Sequence, residues 1–213
     1  MQLTIREPGS AITHLIAMFL AIFASTPLLI KANSGISFTA MSIFIGSMIL
    51  LYGASATYHS IALSDKVIRI FRKIDHCMIF VLIAGSYTPV CLIVLGGKQG
   101  YQLLSLVWSV AIAGIIIKLF WITCPKWFSS VIYIAMGWLC VLVFGPLIHS
   151  LPVSAFAWLV SGGIIYTIGG IIYALKLPLF NALHKNFGSH EIFHLFVMAG
   201  SICHFIFMYY YVA

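Results

Sequence analysis

Charge is what this sequence has least of. Of its 213 residues 7% are charged, and four are acidic: Glu7, Asp65, Asp75 and Glu191. A soluble domain carries about 25% charged residues. With 62% hydrophobic residues and a mean hydropathy of +1.12, too little polar surface remains to face water, so a soluble globule is excluded. Cysteine pattern is missing as well. Cys77, Cys91, Cys124, Cys140 and Cys203 are odd in number, scattered and free of C-x-x-C spacing, which excludes a disulfide framework or a thiolate zinc site. They read as small packing residues within helices. No long polar linker divides the chain, so residues 1–213 read as one domain.

What is there is a series of apolar runs. A bilayer-spanning helix needs about 20 mostly apolar residues. Such runs lie near 12–30, 38–60, 76–95, 101–121, 128–148, 155–175 and 190–211, which predicts an all-α membrane protein with seven transmembrane helices. The breaks at Lys31–Gly35, Gly96–Gly100, Thr123–Lys126 and His149–Pro152 carry turn chemistry. The first run, Ala11 to Ile30, is too long for the apolar core of a secretory signal, so it reads as a retained span.

Alternate loops hold Arg6; Lys66, Arg69, Arg72 and Lys73; Lys118 and Lys126; and Lys176 and Lys185. Only Lys31 and Lys98 stand on the other side. The bias of basic residues toward the inner face then predicts a cytoplasmic N-terminus and an outward Ala213. The formal net charge of +7 is accounted for by anionic lipid headgroups, and no nucleic-acid partner is expected. Lys66 to Lys73, with Val67, Ile68, Ile70 and Phe71 interleaved, reads as an amphipathic helix lying on the inner leaflet. Paired glycines in the sixth run, Gly162-Gly163 and Gly169-Gly170, suit close helix packing.

Ionisable residues inside spans are costly and mark function. His59 closes the second run, Asp75 and His76 open the third, and His190 and His194 open the seventh, so all five fall at one depth on the cytoplasmic side. His190 and His194 are one helical turn apart and share a face. Two imidazoles so placed suit one metal, and His59 could add a third ligand; three protein ligands with an open position is the arrangement of a catalytic zinc. Ser55, one turn before His59, and Asp75 are placed to hydrogen-bond the site's water or its ligands. A single histidine here would be better explained as an interfacial polar residue, but a matched set at one depth favours a metal. His14, His76, His149, His184 and His204 are not needed for such a site; His149 and His184 are expected in loops, and His204 about 15 Å further along its helix than His194.

These residues carry a family resemblance. Ser55-Ala-Thr-Tyr-His59, Lys73-Ile-Asp-His76, Ala84-Gly-Ser-Tyr-Thr-Pro89, Tyr133-Ile-Ala-Met-Gly-Trp138, His190-Glu-Ile-Phe-His-Leu195 and Gly200-Ser-Ile-Cys-His-Phe205 together resemble the bacterial type III hemolysin family. That family is grouped with the progestin and adiponectin receptors and, more remotely, the alkaline ceramidases. The resemblance covers roughly residues 12 to 211. It implies seven spans, an inward N-terminus and a zinc ion held by His59, His190 and His194, with Ser55 and Asp75 near the zinc-bound water as the catalytic candidates.

Three functions compete. A zinc-dependent hydrolase of lipid amides or esters, serving membrane lipid homeostasis in a bacterial plasma membrane, fits a site at headgroup depth, with Asp75 as candidate base. A receptor or sensor would have to bind a lipid or small molecule, because the predicted outer loops are short. A pore or cytolysin is disfavoured by the scarcity of polar residues along the spans. His190 to His194 also spells H-E-x-x-H, the metalloprotease pattern. Intramembrane metalloproteases add an aspartate followed by glycine, and neither Asp65 nor Asp75 is so followed. Glu191 is therefore expected as a solvated or helix N-terminal carboxylate. Retinal would need a lysine in the last run, which has none, and haem would need axial histidines on opposite sides of the iron.

Overall fold

The computed structural model describes residues 5–33, 35–175 and 187–213. Its helices are α1 (Pro8–Lys31), α2 (Gly35–Ser60), α3 (Asp65–Pro89), α4 (Gly97–Phe120), α5 (Lys126–Gly137), α6 (Phe144–Ser150), α7 (Val153–Leu175) and α8 (Ser189–Phe207). A wide π-helical turn, Val90–Leu95, prolongs α3; another, Met208–Val212, prolongs α8; a tight 3₁₀ segment, Trp138–Val143, joins α5 to α6. Among the described residues there are seven continuous helical stretches long and apolar enough to cross a membrane. The chain is a multipass all-α membrane protein.

The helices are sorted by side-chain size rather than by polarity. On α1 the buried stripe is Ser10, His14, Ala17, Ala21 and Leu28, while Ile12, Phe19, Phe23 and Ile30 are exposed. In water that exposed set would be unaffordable; in lipid tails it costs nothing, and small inward residues let helices approach closely. Gly85 shows the approach: a Cβ there would stand 2.4 Å from the Ser47 hydroxyl oxygen, so α3 meets α2 nearly backbone to side chain.

The fifth span changes from α to 3₁₀ helix at its centre, where hydrocarbon offers no partner for freed backbone groups. Tyr87 of α3 serves that junction. Its hydroxyl donates to the Gly137 carbonyl at 2.7 Å and accepts from the Cys140 amide at 2.8 Å. At the end of the third span Gly96 and Gly97, with φ of +59° and +49°, turn the chain into α4 through a backbone conformation that glycine adopts freely.

Three expectations change. The basic stretch Lys66 to Lys73 is not a separate surface helix; α3 runs unbroken from Asp65, because nothing between Lys73 and His76 interrupts a helix. Lys118 is not in a loop but inside α4, 2% exposed, where its ammonium donates to Ser129 Oγ at 2.5 Å and to Cys124 Sγ at 3.1 Å. His149 sits exposed in the last turn of α6 rather than in a loop. Lys176, His184 and Lys185 lie outside the described residues. All five cysteines are free.

Candidate metal centre and its cavity

The last turn of α2 and the first turns of α8 meet, and with them His59, His190 and His194. One ligand nitrogen from each lies within 4.8 Å of the others, close enough for a single ion. The Nε2 atoms of His59 and His190 face each other at 3.3 Å. His59 and His194 are buried, at 1% and 2% exposure.

Two of the three rings are held from behind. His59 Nδ1 is hydrogen-bonded to the Glu7 carboxylate, and His194 Nδ1 to the Thr13 hydroxyl at 3.1 Å. A metal-binding histidine characteristically has its second nitrogen fixed by a carboxylate or another oxygen, which sets the tautomer and the ring's aim. Both partnerships leave Nε2 available on the side where the rings converge. The residues present therefore fit a metal. Glu7 feels the same contact: its hydrogen bond with His59, aided by the Arg6 guanidinium at 3.1 Å, outweighs burial and lowers its pKa to about 2.

Asp75, 8% exposed, and Ser55, 1% exposed, line the same cavity as His190 and His194, and the Asp75 carboxyl interacts with the Ser55 hydroxyl. Neither belongs to the converging ligand set among the described residues. Glu191 points elsewhere. Its carboxylate accepts the Gly188 amide at 2.8 Å, capping α8, and accepts the Ser10 hydroxyl at 2.5 Å. The glutamate of the H-E-x-x-H pattern is thus engaged as a helix cap, the second of the two roles expected for it.

His190 and His194 of the triad line a cavity of about 150 Å³ in the bundle. Ser55, Asp75, His190 and His194 line one end; Leu51, Ile79, Ile83 and Val197 line its apolar middle. Three histidines left out of the site by sequence reasoning also line it: His14, His76 and His204. His14 is 3% exposed and stacks flat on His194 at 3.6 Å between ring centroids. Both of its ring nitrogens lack a hydrogen-bond partner, as does Nδ1 of His76 and of His204.

Sequence reasoning missed Glu7, Thr13 and His14. A signal was available: Ser10, Thr13 and His14, at i, i+3 and i+4, put polar side chains on one face of an otherwise apolar helix.

Comparison with known proteins finds several that the chain is similar to. Residues 3–205 match the family described as "Haemolysin-III related". The chain is 39% identical over 209 residues to "Hemolysin-3" of Bacillus cereus, covering 97% of this chain and 91% of that protein. It is 41% identical over 206 residues to "Hemolysin-3 homolog" of Bacillus subtilis (strain 168), covering 95% and 92%. A more distant similarity, 29% over 225 residues, joins it to "Adiponectin receptor protein" of Drosophila melanogaster, covering 93% of this chain and 49% of that one.

Proposed function

The chain belongs to the haemolysin-III-related family, and from that premise we propose that it is a zinc-dependent hydrolase of lipid amides or esters in the bacterial plasma membrane, with its N-terminus and site on the cytoplasmic side. The observation that carries this reading is the convergence of His59, His190 and His194, with Asp75 lining the same largely apolar cavity as His190 and His194. His59, His190 and His194 would hold the zinc, which would supply Lewis-acid polarisation of a carbonyl when bound. The Asp75 carboxylate accepts the proton of the attacking water and returns it to the leaving amine or alcohol. The Ser55 hydroxyl orients that carboxylate. Glu7 and Thr13 fix the rings of His59 and His194. The apolar middle of the cavity takes up an acyl chain and excludes bulk water from the reacting bond.

The test is cleavage of acyl amides and esters by the protein reconstituted in liposomes. Activity that falls at least 10²-fold in both Asp75→Asn and His59→Ala, with Asp75→Asn still holding zinc, supports the reading. Cleavage that persists undiminished in His59→Ala contradicts it.

A receptor or sensor is favoured by one finding, the similarity to the Drosophila protein named as an adiponectin receptor. A lipid bound stoichiometrically in the cavity, with no turnover in the presence of zinc, distinguishes that role. Discrete single-channel conductance in planar bilayers would instead support a pore, the role that the Bacillus proteins' names suggest for them.

A further inference from the structure

At the end of the cavity remote from the triad, the ring of His204 is held in one orientation. Its Nε2 stands 3.3 Å from the Leu159 carbonyl. A carbonyl oxygen only accepts, so Nε2 carries the proton, and in the neutral ring Nδ1 is then an acceptor. That Nδ1 is buried and meets no donor. The ring is lodged against α7: a Cβ on Gly162 would stand 2.5 Å from Nε2, and the Tyr166 ring meets it edge-on at 5.3 Å. The nearby hydroxyls do not serve it. Tyr52 donates to Ser201 at 2.5 Å, and Tyr166 and Ser201 bond to each other at 2.7 Å.

We propose that this end of the cavity is a second polar subsite, in which His204 Nδ1 accepts a hydrogen bond from a hydroxyl on a bound acyl chain. The proposal rests on the reading above in one respect, that the chain's carbonyl end lies at the triad. His194 and His204 are ten residues apart on α8, about 15 Å, the reach of roughly a dozen extended carbons. Apolar Leu51, Ile79, Ile83 and Val197 line the path between them. The ligand class is therefore a long-chain acyl compound with a hydroxyl near its twelfth carbon. A ketone or an ether at the same place cannot satisfy an acceptor and gains nothing.

The experiment is equilibrium binding of radiolabelled dodecanoate, 12-hydroxydodecanoate and 12-methoxydodecanoate to the full chain in lipid nanodiscs, corrected for empty discs. None of these acids is cleaved, so the assay reads the subsite whether or not the protein hydrolyses lipids. The 12-hydroxy acid should bind about fivefold tighter than either of the others. His204→Leu should abolish that preference, and His204→Asn, which still offers an acceptor, should keep part of it. Both variants should hold as much zinc as the parent, which separates the subsite from the metal centre. Equal binding of the three acids, a preference that survives His204→Leu, or no specific binding of any of them overturns the proposal; zinc content and cleavage would still decide the hydrolase reading.

Discussion

Two of the polar clusters buried among the described residues are built on opposite plans. Around Ser201 the hydroxyls of Tyr52 and Tyr166 bond to its side chain and so satisfy one another. Around His59, His190 and His194 the outer nitrogens of His59 and His194 are satisfied by Glu7 and Thr13, that of His190 has no partner among the described residues, and the inner nitrogens of His59 and His190 face each other at 3.3 Å. A closed hydroxyl group serves packing: it ties α2, α7 and α8 together where hydrocarbon would punish a loose polar atom. The three converging imidazoles are instead close enough to share a single ion. The difference separates structural from functional polarity more sharply than burial does, since both clusters are buried.

Substitutions can break this contrast, and the largest effect belongs to the triad. His190→Ala should reduce zinc from about one per chain to a trace, measured by metal analysis after purification without chelators, while helicity by circular dichroism is unchanged. Next comes Glu7→Gln, which replaces a carboxylate behind His59 with a weaker partner. Zinc affinity should fall about 10- to 100-fold by competition with a fluorescent chelator, and an unchanged affinity would remove Glu7 from the account. The hydroxyl cluster should respond in stability instead. Ser201→Ala leaves two tyrosine hydroxyls unpaired and should cost about 2 kcal/mol in reversible detergent unfolding, with zinc content untouched. Tyr52→Phe removes one donor and leaves Ser201 paired with Tyr166, so the cost should be about 0.6 kcal/mol, near the average for such bonds in membranes. Zinc loss in either of the last two variants would erase the distinction between the clusters.

Much of this was legible in the residues. Length and hydropathy of the runs determine seven spans because the bilayer imposes one thickness on all of them. The helical spacing of His190 and His194, and their depth relative to His59, pointed to the triad that the fold assembles. What escaped was of two kinds. Boundaries moved where a helix continues past its apolar run, as α3 does back to Asp65, since hydropathy reports the membrane and not the helix. Partners moved where the contact is between helices. His14 looks dispensable on its own helix, and only the packing of α1 against α8 lays its ring on His194. The same holds for Glu7, whose meeting with His59 spans 52 positions of sequence. Local spacing can place two ligands on one helix face, but it carries no information about which neighbour stands behind them.

The central claim is that the three inward histidines hold one metal ion. Its most direct test is the zinc content of the detergent-purified protein beside His59→Ala, both prepared without chelators. The account predicts about one zinc per chain in the parent and none retained in the variant. A parent protein that carries no zinc and takes up none on addition would contradict it.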